Sequence, residues 1–197
     1  ELGPDAGWYR VGPLARINNC DYIDTPLAER ERREFVDVGG GKPLQGALAT
    51  HWARLIELLY AAERTLELAQ DPEITSDEIR TIPTESPDEG VGIVEAPRGT
   101  LTHHYVTDED GLLKRVNLIV GTTNNYAAMS MSIKKAAEDL VQAGRVVDDG
   151  VLNKIEMAFR AYDPCLGCAT HTLPGDMPMI VRVYNHEQEL LQEIRRD

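Results

Sequence analysis

Apolar residues recur at helical spacing between about Gly46 and Gln70. Leu48, Trp52, Leu55, Ile56, Leu59 and Leu66 share one side, and Glu57, Arg64 and Glu67 fall on others. The pattern predicts one long amphipathic helix, stopped by Asp71-Pro72. A short charged helix is expected over Leu27 to Val36, ended by the glycine run at Gly39 to Gly41. Ahead of it, residues 1–26 are rich in Gly, Pro and Asn and read as irregular. Residues 71–90 are acidic, carry three prolines and read as a surface loop. Two β-rich runs then flank Asp108 to Gly111, which predicts a hairpin. A further helix is expected from about Tyr126 to Ala143, with Met129, Ile133, Ala136 and Leu140 inward. Another starts near Gly150, with Leu152, Ile155, Ala158 and Phe159 on one face. No internal repeat is present. The expected fold is mainly α, of the α+β class: antiparallel helices with a small β-hairpin.

Composition narrows the function. The 197 residues carry a net charge of -13, which makes the chain a poor binder of nucleic acid or anionic membrane. No apolar run reaches the roughly 18 residues of a membrane helix, so no membrane insertion is expected. The N-terminal residues are neither basic nor apolar enough for a signal peptide. The three cysteines are an odd number, which argues against a secreted disulfide framework and for the cytoplasm.

Chemistry concentrates in "YDPCLGCATHTLPGDMP", Tyr162 to Pro178. Pro164 disfavours helix at Asp163, so Cys165 and Cys168 are expected just past the end of a helix. Two cysteines separated by two residues can direct both sulfurs at one soft metal, such as zinc, nickel, copper(I) or iron. The same spacing suits a redox dithiol, but that chemistry usually uses a helix N-terminus. A zinc knuckle needs four ligands, and the chain offers Cys165, Cys168 and His171, with His103 or His104 distant. Cys20, alone in "ARINNCDYI", reads as a small packed residue.

Together, "DPCLGCATH" resembles the C-terminal metal motif Asp-Pro-Cys-x-x-Cys-x-x-His of the nickel–iron hydrogenase large subunit, and Asp163, Pro164, Cys165, Cys168 and His171 fill every fixed position. "EAPRGTLTHHY" resembles the family's arginine segment, and "NLIVGTTNN" the segment lining the iron's diatomic ligands. "GWYRVGPLARINN" and "LQGALATHWARLIELLYAAE" resemble the cytoplasmic branch, most of all its non-F420-reducing, heterodisulfide-reductase-linked type. The resemblance covers nearly the whole chain. It lacks the family's N-terminal motif Arg-x-Cys-Gly-x-Cys, which supplies the other two cysteines. The chain is therefore expected to be the C-terminal half of a large subunit, from a split gene or a longer sequence.

The resemblance implies the site. Cys165 would be a terminal nickel ligand and would take a proton when H2 splits. Cys168 would bridge nickel and iron. Arg98 would set a fixed cation over the open face of the metals. Pro97, Thr122 and Thr123 would surround iron's cyanide and carbonyl ligands, although Gly121 stands where the family often has proline. His171 and the backbone carbonyl of Leu118 would bind a magnesium or iron ion near the C-terminus. His103 and His104 are expected to be structural. The partners implied are an iron–sulfur small subunit, further electron-transfer subunits and a maturation endopeptidase. That endopeptidase would cut between His171 and Thr172, separating a body of residues 1–171 from a tail of residues 172–197. A stand-alone zinc or redox CxxC module is the alternative. So is a non-catalytic hydrogenase-derived subunit of an electron-transfer complex, although such relatives have lost the metal-binding cysteines.

Overall fold

The computed structural model describes residues 7–85, 87–170 and 178–196, with the Arg196 side chain left out. Its helices and strands follow in chain order as α1 (Pro13–Asn19), α2 (Pro26–Val38), α3 (Ala49–Ala69), β1 (Glu89–Ala96), β2 (Gly99–Thr107), β3 (Leu113–Ile119), α4 (Gly121–Asn124), α5 (Tyr126–Leu140), α6 (Asp149–Arg160), α7 (Leu166–Thr170), β4 (Met179–Tyr184) and β5 (Leu190–Arg196). A 3-10 turn, Pro72–Thr75, follows α3. No helix among the described residues is long and apolar enough to cross a membrane.

The first three helices enclose one core. Leu14 and Ile17 of α1, Ala28 and Phe35 of α2, and Ala53 and Ile56 of α3 are buried together. Phe35 meets Trp52 edge-on, with ring centroids 5.1 Å apart, the geometry aromatic quadrupoles favour. The α1 helix corrects the expectation that residues 1–26 are irregular. Seven residues are too few to display a full apolar period, and Pro13 at its first turn reads equally as a loop residue. The α3 helix lies where expected, but its apolar stripe is wider than the face that α1 and α2 cover. Ile56 is buried, whereas Leu48, Leu55 and Leu66 are exposed.

Polar groups lock these helices together. Pro26 occupies the first turn of α2, and the free amides of Leu27 and Ala28 donate to the Glu63 carboxylate of α3, each at 3.0 Å. A carboxylate there also suits the positive end of the α2 dipole. Within α2, Glu29 accepts from Arg32 at 2.7 Å, from Arg33 at 2.8 Å and from the Ile23 amide at 2.9 Å. Led by the Arg32 contact, these hold its carboxyl at about 2, against a burial penalty.

The sheet differs from the expected hairpin. It has three antiparallel strands in the order β1-β2-β3. The β2–β3 turn lies at Asp108 to Gly111 as expected, where Asp108 Oδ1 accepts from the Asp110 and Leu112 amides. The first β-rich run, however, folds back on itself. Ala96 pairs with Gly99 across a two-residue loop, Pro97-Arg98. Proline at the second position of a tight turn and glycine at the fourth are its chemical signature.

This turn packs against two backbones. Gly99 has φ +135 and abuts Val11 and Gly12. A Cβ on Gly121 would lie 2.9 Å from both the Arg98 carbonyl carbon and the Gly99 nitrogen. The α4 helix can approach the turn only because Gly121 has no side chain. Buried Asn125 completes the joint: its Oδ1 accepts from the Val11 amide at 2.9 Å and its Nδ2 donates to the Val11 carbonyl at 3.3 Å.

The α5 and α6 helices pack as a pair. Ala128, Met129 and Tyr162 form a small second core with Tyr126 and Phe159 beside it. Met129 is buried as expected, whereas Ile133 is 37% exposed. The final strands form a separate hairpin, β4-β5. It is tied to the α5–α6 connection by Gln192, which accepts from the Val147 amide at 3.2 Å and donates to the Val147 carbonyl at 2.9 Å.

Two outcomes are expected. The Glu29 carboxyl is held near 2 when folded and titrates near 4.5 when free. Its stabilisation is therefore complete above about pH 4.5 and is lost as pH falls toward 2. Glu29→Gln should cost about 1 kcal/mol at neutral pH, and the difference should vanish at the acid end of a series of urea melts. Gly121→Ala should destabilise by about 1–3 kcal/mol in the same melts, because backbone rather than a flexible side chain must move.

Candidate metal and active site

The candidate site forms where three loops meet. One is the Pro97-Arg98 turn, another the start of α4, and the third the segment between α6 and α7. Tyr162 ends the preceding helical stretch in the second core, where its hydroxyl lies 3.1 Å from that of Ser132. Asp163 then adopts φ 50. A left-handed residue before proline breaks the helix and turns the chain outward.

Cys165 and Cys168 sit just past α6, as expected. They also flank the start of α7, a helix the sequence pattern does not predict. Cys165 immediately precedes Leu166, and its carbonyl accepts from the Ala169 amide at 3.1 Å. The position of the pair therefore does not by itself disfavour dithiol chemistry. Helix α7 has only five residues, so it supplies little of the dipole that activates a thiol. The two cysteines are joined as a disulfide, with Cα atoms 5.3 Å apart. The odd cysteine count argues only against a disulfide framework, and one local bridge within a ligand loop is not a framework. Sulfurs near enough to bond can, once reduced, chelate one soft metal ion. Among the described residues, no cluster of three or more His, Cys, Asp or Glu side chains could hold a metal ion. The pair thus fits part of a thiolate site that needs further donors.

Arg98 reaches this loop. Its Nε donates to the Asp163 carbonyl at 2.7 Å and lies 3.1 Å from Asp163 Oδ2. Both side chains are about half exposed. Thr122 is buried, and its hydroxyl oxygen accepts from the Cys165 amide at 3.1 Å. A threonine hydroxyl both donates and accepts, so accepting this bond does not use its proton. The Cys168 amide lies 3.4 Å from Cys165 Sγ. The structure thus joins Thr122, Cys165 and Cys168 directly and brings Arg98 to Asp163, two residues before Cys165, with Pro97 beside Arg98 in the turn. Thr123 follows in α4, half-buried. Leu118 lies on β3 opposite His103. His171 lies outside the described residues, as does the segment between it and Met177.

His103 and His104 have local partners. His103 Nδ1 lies 2.7 Å from the Tyr105 hydroxyl, and His104 Nε2 lies 2.6 Å from Glu89 Oε1. Cys20 is half-buried, with its Sγ 3.6 Å from the Ile17 carbonyl. Burial pushes its thiol pKa up, which suits a packed rather than a reactive residue.

Several residues at the site carry no motif that would single them out. A cleft of about 720 Å³ beside the turn is lined by Arg16, Glu57, Glu95, Pro97 and Asp163, among others. Burial alone would raise the Glu95 carboxyl, but hydrogen bonds from Thr100 and Arg16 hold it below its ordinary range. Asn124 donates to the Thr100 carbonyl at 3.0 Å and accepts from the Tyr9 hydroxyl at 2.7 Å, fixing α4 to β2. The only sequence signal for these groups is their position beside the arginine and Thr-Thr segments.

Comparison with known proteins supplies the family. The chain is 51% identical over 193 residues to the iron-sulfur subunit of the F420-non-reducing hydrogenase of Archaeoglobus profundus, a match covering 98% of this chain and 40% of that protein. It is 43% identical over 198 residues to the NAD-reducing hydrogenase HoxS subunit beta of Cupriavidus necator, covering 100% of this chain and 40% of that one. The chain thus spans about two fifths of the length of these curated relatives. A crystal structure of an NAD+-reducing nickel–iron hydrogenase in the H2-reduced state superposes with TM-score 0.79 at 44% identity, over 86% of this chain and 37% of that one. The nickel–iron–selenium hydrogenase of D. vulgaris Hildenborough, in its as-isolated oxidised state, matches with TM-score 0.56 at 25% identity, over 82% of this chain and 35% of that one. With residues 6–171 matched by the model of the nickel-dependent hydrogenases, and with relatives of 43–51% identity covering nearly all of it, this chain belongs to the nickel-dependent hydrogenase family.

Proposed function

We propose that this chain is the C-terminal part of the catalytic large subunit of a nickel–iron hydrogenase, which splits H2 reversibly and heterolytically into protons and electrons. What carries the reading is convergence. In a member of this family, the Arg98 guanidinium and the Thr122 hydroxyl both contact the loop that holds Cys165 and Cys168. A nickel–iron centre with cyanide and carbon monoxide on iron would supply the redox chemistry when bound.

The chain's own residues have distinct tasks on this reading. Cys165 and Cys168, as thiolates, would provide two of the centre's four sulfur ligands, Cys165 to nickel and Cys168 to nickel and iron. The remainder of the large subunit provides the other two. The Cys165 sulfur accepts the proton released when H2 divides. Arg98 keeps a fixed positive charge beside that sulfur. Asp163 has already oriented it, so little reorganisation is needed as charge develops. Thr122 uses its oxygen to hold the Cys165 amide, and its proton would hydrogen-bond a cyanide nitrogen, with Pro97 and Thr123 lining the same pocket. His171 and the Leu118 carbonyl would hold a magnesium or iron ion. Electrons leave through an iron–sulfur small subunit, then through further electron-transfer subunits in the cytoplasm. An endopeptidase removes residues 172–197 once the metals are in place. The β4-β5 hairpin forms a sheet of its own, which supports a separable tail, and Gln192 ties it to the Val147 backbone.

In the assembled enzyme, Arg98→Lys should lower H2 oxidation by about 10²-fold or more with nickel and iron content unchanged, because lysine keeps the charge but loses the planar fork. Cys168→Ser should instead abolish nickel loading, measured by elemental analysis. A native rate in the arginine variant, or full nickel in the serine variant, would remove these residues from the site. Intact-mass measurement of active enzyme should find a large subunit ending at His171, and an active form that retains Asp197 would rule out removal of the tail.

A further inference from the structure

Arg16 is not part of the proposed metal site, yet all five of its guanidinium N–H donors are used within reach of Arg98. On one side, Nε and Nη2 grip the Glu57 carboxylate of α3 at 2.6 and 2.7 Å, a bidentate pair. On the other, Nη1 donates to Glu95 Oε2 and to the Ala96 carbonyl, both at 2.9 Å, and Nη2 donates to the Pro97 carbonyl at 3.0 Å. Glu95, Ala96 and Pro97 are the three residues that lead into Arg98. Their strand is otherwise weakly supported from the outside: Val91, Ile93 and Val94 of β1 are exposed. The Arg16 side chain, 24% exposed, therefore ties the turn to the rigid α1–α3 core. Thr100 continues the arrangement from the far side of the turn, donating to Glu95 Oε1 at 2.6 Å.

We propose that Arg16 is a positioning residue: by bridging Glu57 of α3 to Glu95, Ala96 and Pro97, it fixes the tight turn that presents Arg98 to the cysteine loop. The proposal rests on the reading that Arg98 works at the metal site. Asp163 orients the Arg98 side chain, whereas Arg16 orients the backbone from which that side chain departs. Lysine cannot replace it, because one ammonium cannot span a carboxylate on one helix and two carbonyls on a turn.

The test is a double-mutant cycle in the complete hydrogenase complex, comparing native enzyme, Arg16→Lys, Arg98→Lys and the double variant. Metal content and amide hydrogen exchange of residues 95–100 are measured alongside kcat and the KM for H2. A displaced catalytic group affects kcat more than binding, so Arg16→Lys should lower kcat by roughly tenfold or more while leaving KM within about twofold. Nickel and iron content should stay native, and exchange in the turn should accelerate. In the Arg98→Lys background, adding Arg16→Lys should change kcat by less than about twofold, because two residues that act as a unit are not additive. Equal losses in both backgrounds, or unchanged exchange in the turn, would overturn the proposal and leave Arg16 a general stabiliser. If Arg98→Lys alone turned over at the native rate, the role of Arg98 would fail instead, and the exchange measurement would still decide whether Arg16 holds the turn. Should Arg16→Lys not accumulate as folded protein, Glu95→Ala removes one partner while sparing the Arg16–Glu57 pair. It should show the same pattern with a smaller loss, and native kcat together with native exchange in that variant would equally overturn the proposal.

Discussion

A two-residue turn has to be held in place from three sides. Pro97-Arg98 lies at the end of an exposed strand, and a tight turn alone would not hold a guanidinium to the tolerance that the proposed site demands. Arg16 holds its leading carbonyls, Gly121 admits it against α4, and Asp163 meets the arginine side chain. Each contact comes from a different part of the chain. Loss of any one would loosen the geometry between a fixed cation and the cysteine loop without touching a sulfur.

The energetic character of these contacts differs. The Arg16–Glu57 pair is partly shielded and bidentate, and burial alone would lower the arginine pKa. The hydrogen bonds and charges of Glu57 and Glu95 outweigh that burial and raise it. It therefore remains charged wherever the fold exists. The Gly121 contact is steric: its strength is the absence of a side chain, and it turns repulsive on adding one methyl group. The Arg98–Asp163 contact is the most exposed of the three, so its Coulomb contribution is small and its value lies in orientation.

Much of the architecture is legible from local pattern. The α3, α5 and α6 helices carry long apolar periods, and their existence needs only a 3.6-residue repeat, although their ends lie a few residues from where the pattern puts them. The Asp108 to Gly111 turn is legible for a comparable reason, since its carboxylate bonds amides two and four residues on. The α1 helix and the extra strand are not. Helix α1 is stabilised by burying Leu14 and Ile17 against α2 and α3, a tertiary term that seven residues cannot advertise. The third strand is hidden because "EAPRG" reads as a functional segment, while its proline and glycine also close a turn.

The cysteine pair shows where the two sources divide. Residue type and spacing alone determined that Cys165 and Cys168 could face one atom, because that follows from the length of four consecutive residues. Arg98, Pro97 and Thr122 became candidates only through the resemblance to the hydrogenase family, in motifs that sit far apart along the chain. Only the tertiary structure decided that Arg98 and Thr122 reach the cysteine loop, since that depends on contacts between residues separated by 65 and 43 positions. It alone decided that Arg16, an unremarked arginine in a short helix, joins α3 to the turn. A guanidinium's partners are set by which carboxylates and carbonyls the fold brings within 3 Å, and no local pattern encodes that distance.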